Sequence, residues 1–174
     1  AARGHPRSAG PQVTAHRSQE DPGSPKRAAH LREGGDKTMK YAFYPGCVAR
    51  GATPELYDAT IEVCARLGIE LDVDSMRSAS CTGSGVLQEK NERLGDTLNA
   101  RNFALAERAG LPIMTICSTC QGVMSQANQR LRADPAYLAS INEDLAEEGL
   151  EYKGTADPRH LLWVLMGLVG QKAI

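Results

Sequence analysis

From residue 39 onward, short apolar runs alternate with longer segments whose apolar residues recur every three or four positions. The runs at 39–45, 69–73 and 113–116 have strand length and are rich in aromatic and branched side chains. Between them lie helical patterns. Thr53-Pro54-Glu55 reads as a cap with Pro at the first helical position. Leu56, Ala59, Ile61, Val63, Cys64 and Leu67 then follow a helical period as far as Gly68, a stop signal. A second helix is predicted over about 89–109, ending at Gly110, and a third over about 119–132. Asp134-Pro135 opens a fourth helix to about 148. Residues 151–153 read as a short edge strand, and an apolar helix starts near Asp157-Pro158. In that last helix Trp163, with Leu161, Leu162 and Leu165, reads as core or as a docking face for another protein.

Repeated strand–helix–strand units joined by right-handed crossovers give an α/β fold, a parallel sheet flanked by helices. Ligands of such sheets sit beyond the C-terminal ends of the strands. Residues 1–38 differ in kind: Pro, Gly, Ser, Arg and His dominate, and Val13 and Leu31 are nearly the only apolar side chains of any size. So little apolar surface cannot offset the entropy of ordering, so this stretch is predicted to be a disordered N-terminal extension without a function of its own. The abrupt change at Met39 suggests the natural start, with an over-extended frame or a leader before it. Residues 39–174 are read as one domain.

Charge excludes more than it suggests. Residues 1–38 hold seven Lys/Arg against four Asp/Glu, while the whole chain is at −1. The folded part is therefore mildly acidic and shows no basic face for nucleic acid. The start lacks the apolar core of a secretory signal, and the run at 161–169 is about half the length a bilayer requires, so no membrane insertion is expected. A cytoplasmic setting with reduced thiols is the default expectation. Catalytic triads, paired carboxylates, phosphate loops and dinucleotide fingerprints are not apparent.

The candidate chemistry lies in the cysteines. Cys47 follows the first strand, Cys81 follows the second after a polar loop, and Cys117 ends the third, with Cys120 completing a Cys-x-x-Cys. Parallel neighbouring strands would bring all four thiols to one rim of the sheet. A Cys-x-x-Cys at the head of a helix is expected to be acidified toward thiolate, the form that binds metal and attacks disulfides. The Cys81-Thr82-Gly83-Ser84-Gly85 loop lets backbone amides approach an anion or cluster sulfurs. The residues leave three readings open: a metal or cluster centre, a structural zinc site in a non-catalytic scaffold, and a dithiol oxidoreductase using Cys117 and Cys120. Cys64, on the apolar side of its helix, is read as core. His160 is read as a surface or capping residue, Arg101 as lying on a solvated face, and Asn102 as able to face the cysteine loops.

Taken together, Tyr44-Pro45-Gly46-Cys47, Cys81-Thr82-Gly83 and Cys117-Ser-Thr-Cys120 resemble the cysteine-rich CCG domain found in the B subunit of heterodisulfide reductases. The resemblance extends through Ala100-Arg101-Asn102, 104–107, 148–154 and 160–162, about residues 40–170 in all. It implies an iron–sulfur subunit of a redox complex. Cys47, Cys81, Cys117 and Cys120 would hold a [4Fe–4S]-type cluster, cubane or non-cubane. Electrons would pass toward disulfide or sulfur chemistry, beside ferredoxin-like and flavin subunits. Two departures stand out. Thr82 occupies the place of the second Cys of the family's pair, leaving four candidate ligands where the family has five. The chain also ends near where a second copy of the domain would begin, so it is expected to be a single-domain subunit or the N-terminal half of a two-domain one.

Overall fold

The computed structural model describes residues 39–169; the expectation for 1–38 lies outside the described residues. Four strands form one sheet in the order β2-β1-β3-β4: β1 Met39–Tyr44, β2 Ile69–Asp72, β3 Ile113–Thr115 and β4 Arg159–His160. Every pairing is parallel. Met39 lies opposite Ile69, Ala42 opposite Ile113, and Met114 opposite Arg159. The expected α/β architecture is therefore present, with β1 and β3 at the centre.

Alternation along the central strands decides which layer each side chain enters. Tyr41, Phe43 and Met114 point to one face, where they meet Cys64, Ile69 and Val164. Ala42, Tyr44 and Ile113 point to the other, against Phe103, Met124, Leu131, Ile141 and Tyr152. The first layer includes residues of α2 (Pro54–Arg66) and α7 (Leu161–Val169). The second is covered by α4 (Glu92–Ala109), α5 (Ser118–Ala133) and α6 (Pro135–Ala146). Burial on both faces explains why β1 reads as an almost continuous apolar run. Phe43 and Phe103 are fully buried, and each such side chain contributes about 1.5–3 kcal/mol of apolar transfer free energy.

The structure adds one element and moves others. Residues Gly46–Gly51 form a short helix, α1, between β1 and α2. The single helix expected over 89–109 is two, α3 (Val86–Lys90) and α4, because Asn91 takes an extended backbone and its side chain accepts the Leu94 amide at 3.1 Å. The edge strand expected at 151–153 does not form. The Tyr152 amide and carbonyl are both taken by the Asn142 side chain at 2.9 Å, and the Lys153 amide by the Glu107 carboxylate at 2.7 Å. With those groups occupied, the fourth strand is Arg159–His160, and the last helix begins after it at Leu161. Asp134 caps α6 as anticipated, accepting the Ala136 and Tyr137 amides.

Beneath α4, α5 and α6 lies an ionic knot. Asp96 is fully buried and takes two hydrogen bonds from Arg130, at 2.9 and 2.6 Å, and one from the Tyr137 hydroxyl at 3.1 Å. Three helices thereby share one carboxylate.

Candidate metal centre

Each cysteine is delivered by the C-terminal end of a strand or by a loop tied to one. β1 ends at Tyr44-Pro45-Gly46, and Gly46 has φ +81°, a left-handed conformation that side chains resist. A Cβ at Gly46 would also stand 3.3 Å from the Cys120 sulfur and 3.3 Å from the Cys117 Cβ. Glycine thus lets the chain carrying Cys47 lie directly on the Cys-x-x-Cys. Cys47 is exposed on the first turn of α1. β3 leads through Ile116 into Cys117, which caps α5 with its own sulfur by accepting the Cys120 amide at 3.4 Å.

Cys81 lies in the long connection after β2, and this loop is fastened at several points. The Tyr44 hydroxyl donates to the Ser80 carbonyl at 2.8 Å. The Asn102 side chain accepts the Ser80 amide at 2.8 Å and donates to the Ser80 carbonyl at 3.0 Å. Arg101 donates to the Ser78 carbonyl at 2.6 Å while its guanidinium pairs with Glu148. Asn99, fully buried, donates to the Thr82 carbonyl at 3.2 Å. Gly83 is held at φ +87°, where a Cβ would fall 2.7 Å from that of Leu87, so no side chain fits there. The exposed Cys81 sulfur accepts the Gly83 amide at 3.5 Å.

Two titratable groups near the cysteine loops, Tyr44 and Cys120, are shifted in one direction. Burial raises the Tyr44 phenol well above its usual range, and charge on Cys120, Cys81 and Cys47 raises it further. Cys120 is pushed up to about 12, first by burial, then by its hydrogen bond with Cys117 and by charge on Cys117 and Cys47. The helix-head acidification expected for the motif is therefore not found at Cys120, where burial dominates and raises the thiol. A bound cation would reverse that balance. None of the five cysteines is in a disulfide. Among the described residues, no three His, Cys, Asp or Glu side chains are gathered closely enough to hold one metal ion.

The remaining candidates sort plainly. Cys64 is fully buried in the core, away from the rim, and burial raises its thiol. His160 is a capping residue, its Nδ1 accepting the Leu162 amide at 3.2 Å, but it is buried and not at the surface. Arg101 is not on a solvated face, since it fastens the cysteine loop. Asn102 faces that loop as expected. Trp163 is not core: it is 53% exposed and Leu162 is 61% exposed, while Leu161 and Leu165 pack inward. Sequence reasoning missed Tyr44 and Asn99 as parts of the site. Tyr44 sits at the end of an apolar strand like any core aromatic, and nothing local marks its hydroxyl.

A parallel α/β domain with cysteine-bearing loops at one end of its sheet is the class that fold and site define. Residues 41–125 match the CCG family, a cysteine-rich domain, and that stretch of the chain belongs to it. The chain is 34% identical over 136 residues to the B subunit of the ferredoxin/F(420)H(2)-dependent CoB-CoM heterodisulfide reductase of Methanosarcina acetivorans, covering 78% of this chain and 45% of that protein. It is 33% identical over 132 residues to a protein of Archaeoglobus profundus that is itself like the heterodisulfide reductase B subunit, covering 76% and 44%. It is also 36% identical over 126 residues to the 8-methylmenaquinol:fumarate reductase membrane anchor subunit of Wolinella succinogenes, covering 72% and 43%. The chain thus spans under half the length of these relatives. No helix among the described residues is long and apolar enough to cross a membrane.

Proposed function

We propose that this chain is an iron–sulfur subunit, or part of one, in a heterodisulfide reductase-like redox complex, with Cys47, Cys81, Cys117 and Cys120 holding the cluster. The observation that supports the reading is the close approach at the end of β1: a Cβ at Gly46, beside Cys47, would stand 3.3 Å from the Cys120 sulfur, and the Tyr44 hydroxyl ties the residue before Cys81 to the same strand end at 2.8 Å. The residues fit such a group. Thiolates are the ligands iron–sulfur clusters take, Gly46 removes the side chain that would fill the approach to the Cys-x-x-Cys, and a buried hydroxyl beside Cys120 lacks a partner.

When bound, the cluster supplies one-electron chemistry. The chain's own residues hold it: Asn102, Arg101 and Tyr44 keep the Cys81 loop in place, and α5 presents Cys117 and Cys120. Cleaving a disulfide to two thiols takes two electrons and two protons. One four-cysteine domain is therefore a relay, or one half of a site completed by a second domain or protein. Ferredoxin in the name of one relative supports a redox partner of that kind, and a flavin-bearing partner follows from the family resemblance. The relatives span heterodisulfide and fumarate reductases, which favours a role in electron transfer over a role tied to one substrate. The test is anaerobic reconstitution with ferrous iron and sulfide, followed by metal and sulfide analysis. Near-stoichiometric iron and sulfide with a brown chromophore are expected, and a colourless protein retaining zinc alone would overturn the reading.

A further inference from the structure

Thr82 stands where the cysteine pair of the family has its second thiol, and its side chain is 1% exposed. Its hydroxyl oxygen is buried with no hydrogen-bond partner. An unpaired buried hydroxyl costs about 1–3 kcal/mol, so a native protein that keeps one has a use for it or an absent partner. The loop does not explain the residue through its backbone, because Asn99 grips the Thr82 carbonyl and not the hydroxyl. The Asn99 side-chain oxygen is itself buried and unpaired. Thr82 directly follows Cys81, and the polar atom beside its buried hydroxyl is the Cys120 sulfur.

Resting on the cluster reading above, we infer that Thr82 replaces a ligand with a hydrogen-bond donor: its hydroxyl is aimed at the Cys120 thiolate, or at a cluster sulfide next to it, and sets the reduction potential. Hydrogen bonds to the sulfurs of a cluster withdraw charge from it and favour the reduced, more negative state. A hydroxyl is a poor iron ligand beside thiolates, so its place is as donor and not as fifth ligand. Asn99 acts as a positioning residue, fixing the backbone from which the hydroxyl points.

The experiment compares reconstituted full-length wild type with Thr82→Val, Thr82→Ala and Thr82→Ser, titrated anaerobically with dithionite and followed by electron paramagnetic resonance. Val keeps the shape and deletes the donor, and Ala provides a second hydroxyl-free variant should Val pack poorly. Wild-type iron content with a more negative midpoint potential is expected in Val and Ala, with Ser close to wild type. Before loading, Thr82→Val should be no less stable than wild type in urea, since the hydroxyl has no partner to lose. Loaded variants with an unchanged potential would overturn this inference alone and mean that the hydroxyl serves only the protein, for instance Asn99. A wild type that takes up no iron and sulfide would overturn the cluster reading and this inference with it.

Discussion

The Tyr44 hydroxyl donates to the Ser80 carbonyl at 2.8 Å, joining the end of the central strand to the residue before Cys81. Thirty-six positions of chain are bridged by this bond. It makes Tyr44 both a core aromatic and the post on which the cysteine loop hangs.

Tyr44→Phe should therefore keep the fold and loosen the loop. Its loss leaves the Ser80 carbonyl one donor from Asn102, so the cost should be about 1 kcal/mol in urea unfolding. Amide exchange should accelerate at 78–84 and stay unchanged in β3. Uniform acceleration across the sheet would mean that Tyr44 serves the core alone.

Asn102→Ala is expected to be the more damaging change. It removes both hydrogen bonds to Ser80 and leaves the Ser80 amide without its acceptor, at about 1–3 kcal/mol. Iron retained after anaerobic reconstitution should fall, while helix content by circular dichroism remains. A variant with full iron content would show that the Cys81 loop needs no such fastening.

The knot at Asp96 predicts an asymmetry. Arg130→Ala strands a fully buried carboxylate and should cost about 3–5 kcal/mol. Asp96→Ala should cost less, because Arg130 is partly exposed and still has Glu92 at 3.6 Å. Denaturation midpoints of the two variants decide it, and the reverse order would contradict the burial argument.

Alkaline pH should weaken the fold. Burial and the Asp96 carboxylate hold the Tyr137 phenol at about 12, above its ordinary value of 10, and burial likewise raises the Tyr152 phenol and the Cys64 thiol. Groups with raised values bind protons more tightly when folded. Their contribution is complete below the unfolded values and disappears as pH rises through the folded ones. Thermal midpoints should thus decline from about pH 9 upward, and Cys64→Ala should lessen the onset at about 1 kcal/mol of core stability. A flat profile from pH 8 to 11 would refute this.

Much of this arrangement was legible in the sequence where local and global signals agree. The three strands, the parallel class, the caps at Asp134 and Gly110 and the core position of Cys64 follow from period, punctuation and polarity. The rim position of the cysteines followed from their placement after strands. What escaped is set by contacts between distant residues. Residues 151–153 have strand-like composition, but Asn142 and Glu107 claim their backbone groups from other helices. Arg101 reads as a surface charge until the loop folds over it. Cys120 reads as an acidified helix-head thiol until its burial is known. Trp163 reads as core or as a docking face because its helix is apolar on every side, and periodicity cannot say which side faces out.

If the proposed function is right, four cysteines, and not the fifth, hold one iron–sulfur centre. Iron and acid-labile sulfide should be measured after anaerobic reconstitution of wild type and of Cys47→Ser, Cys81→Ser, Cys117→Ser, Cys120→Ser and Cys64→Ala. Cluster is expected in wild type and Cys64→Ala, with iron sharply reduced and the paramagnetic signal altered or lost in each of the other four. Retention of a wild-type signal in Cys47→Ser or Cys81→Ser, or its loss in a folded Cys64→Ala, would contradict it.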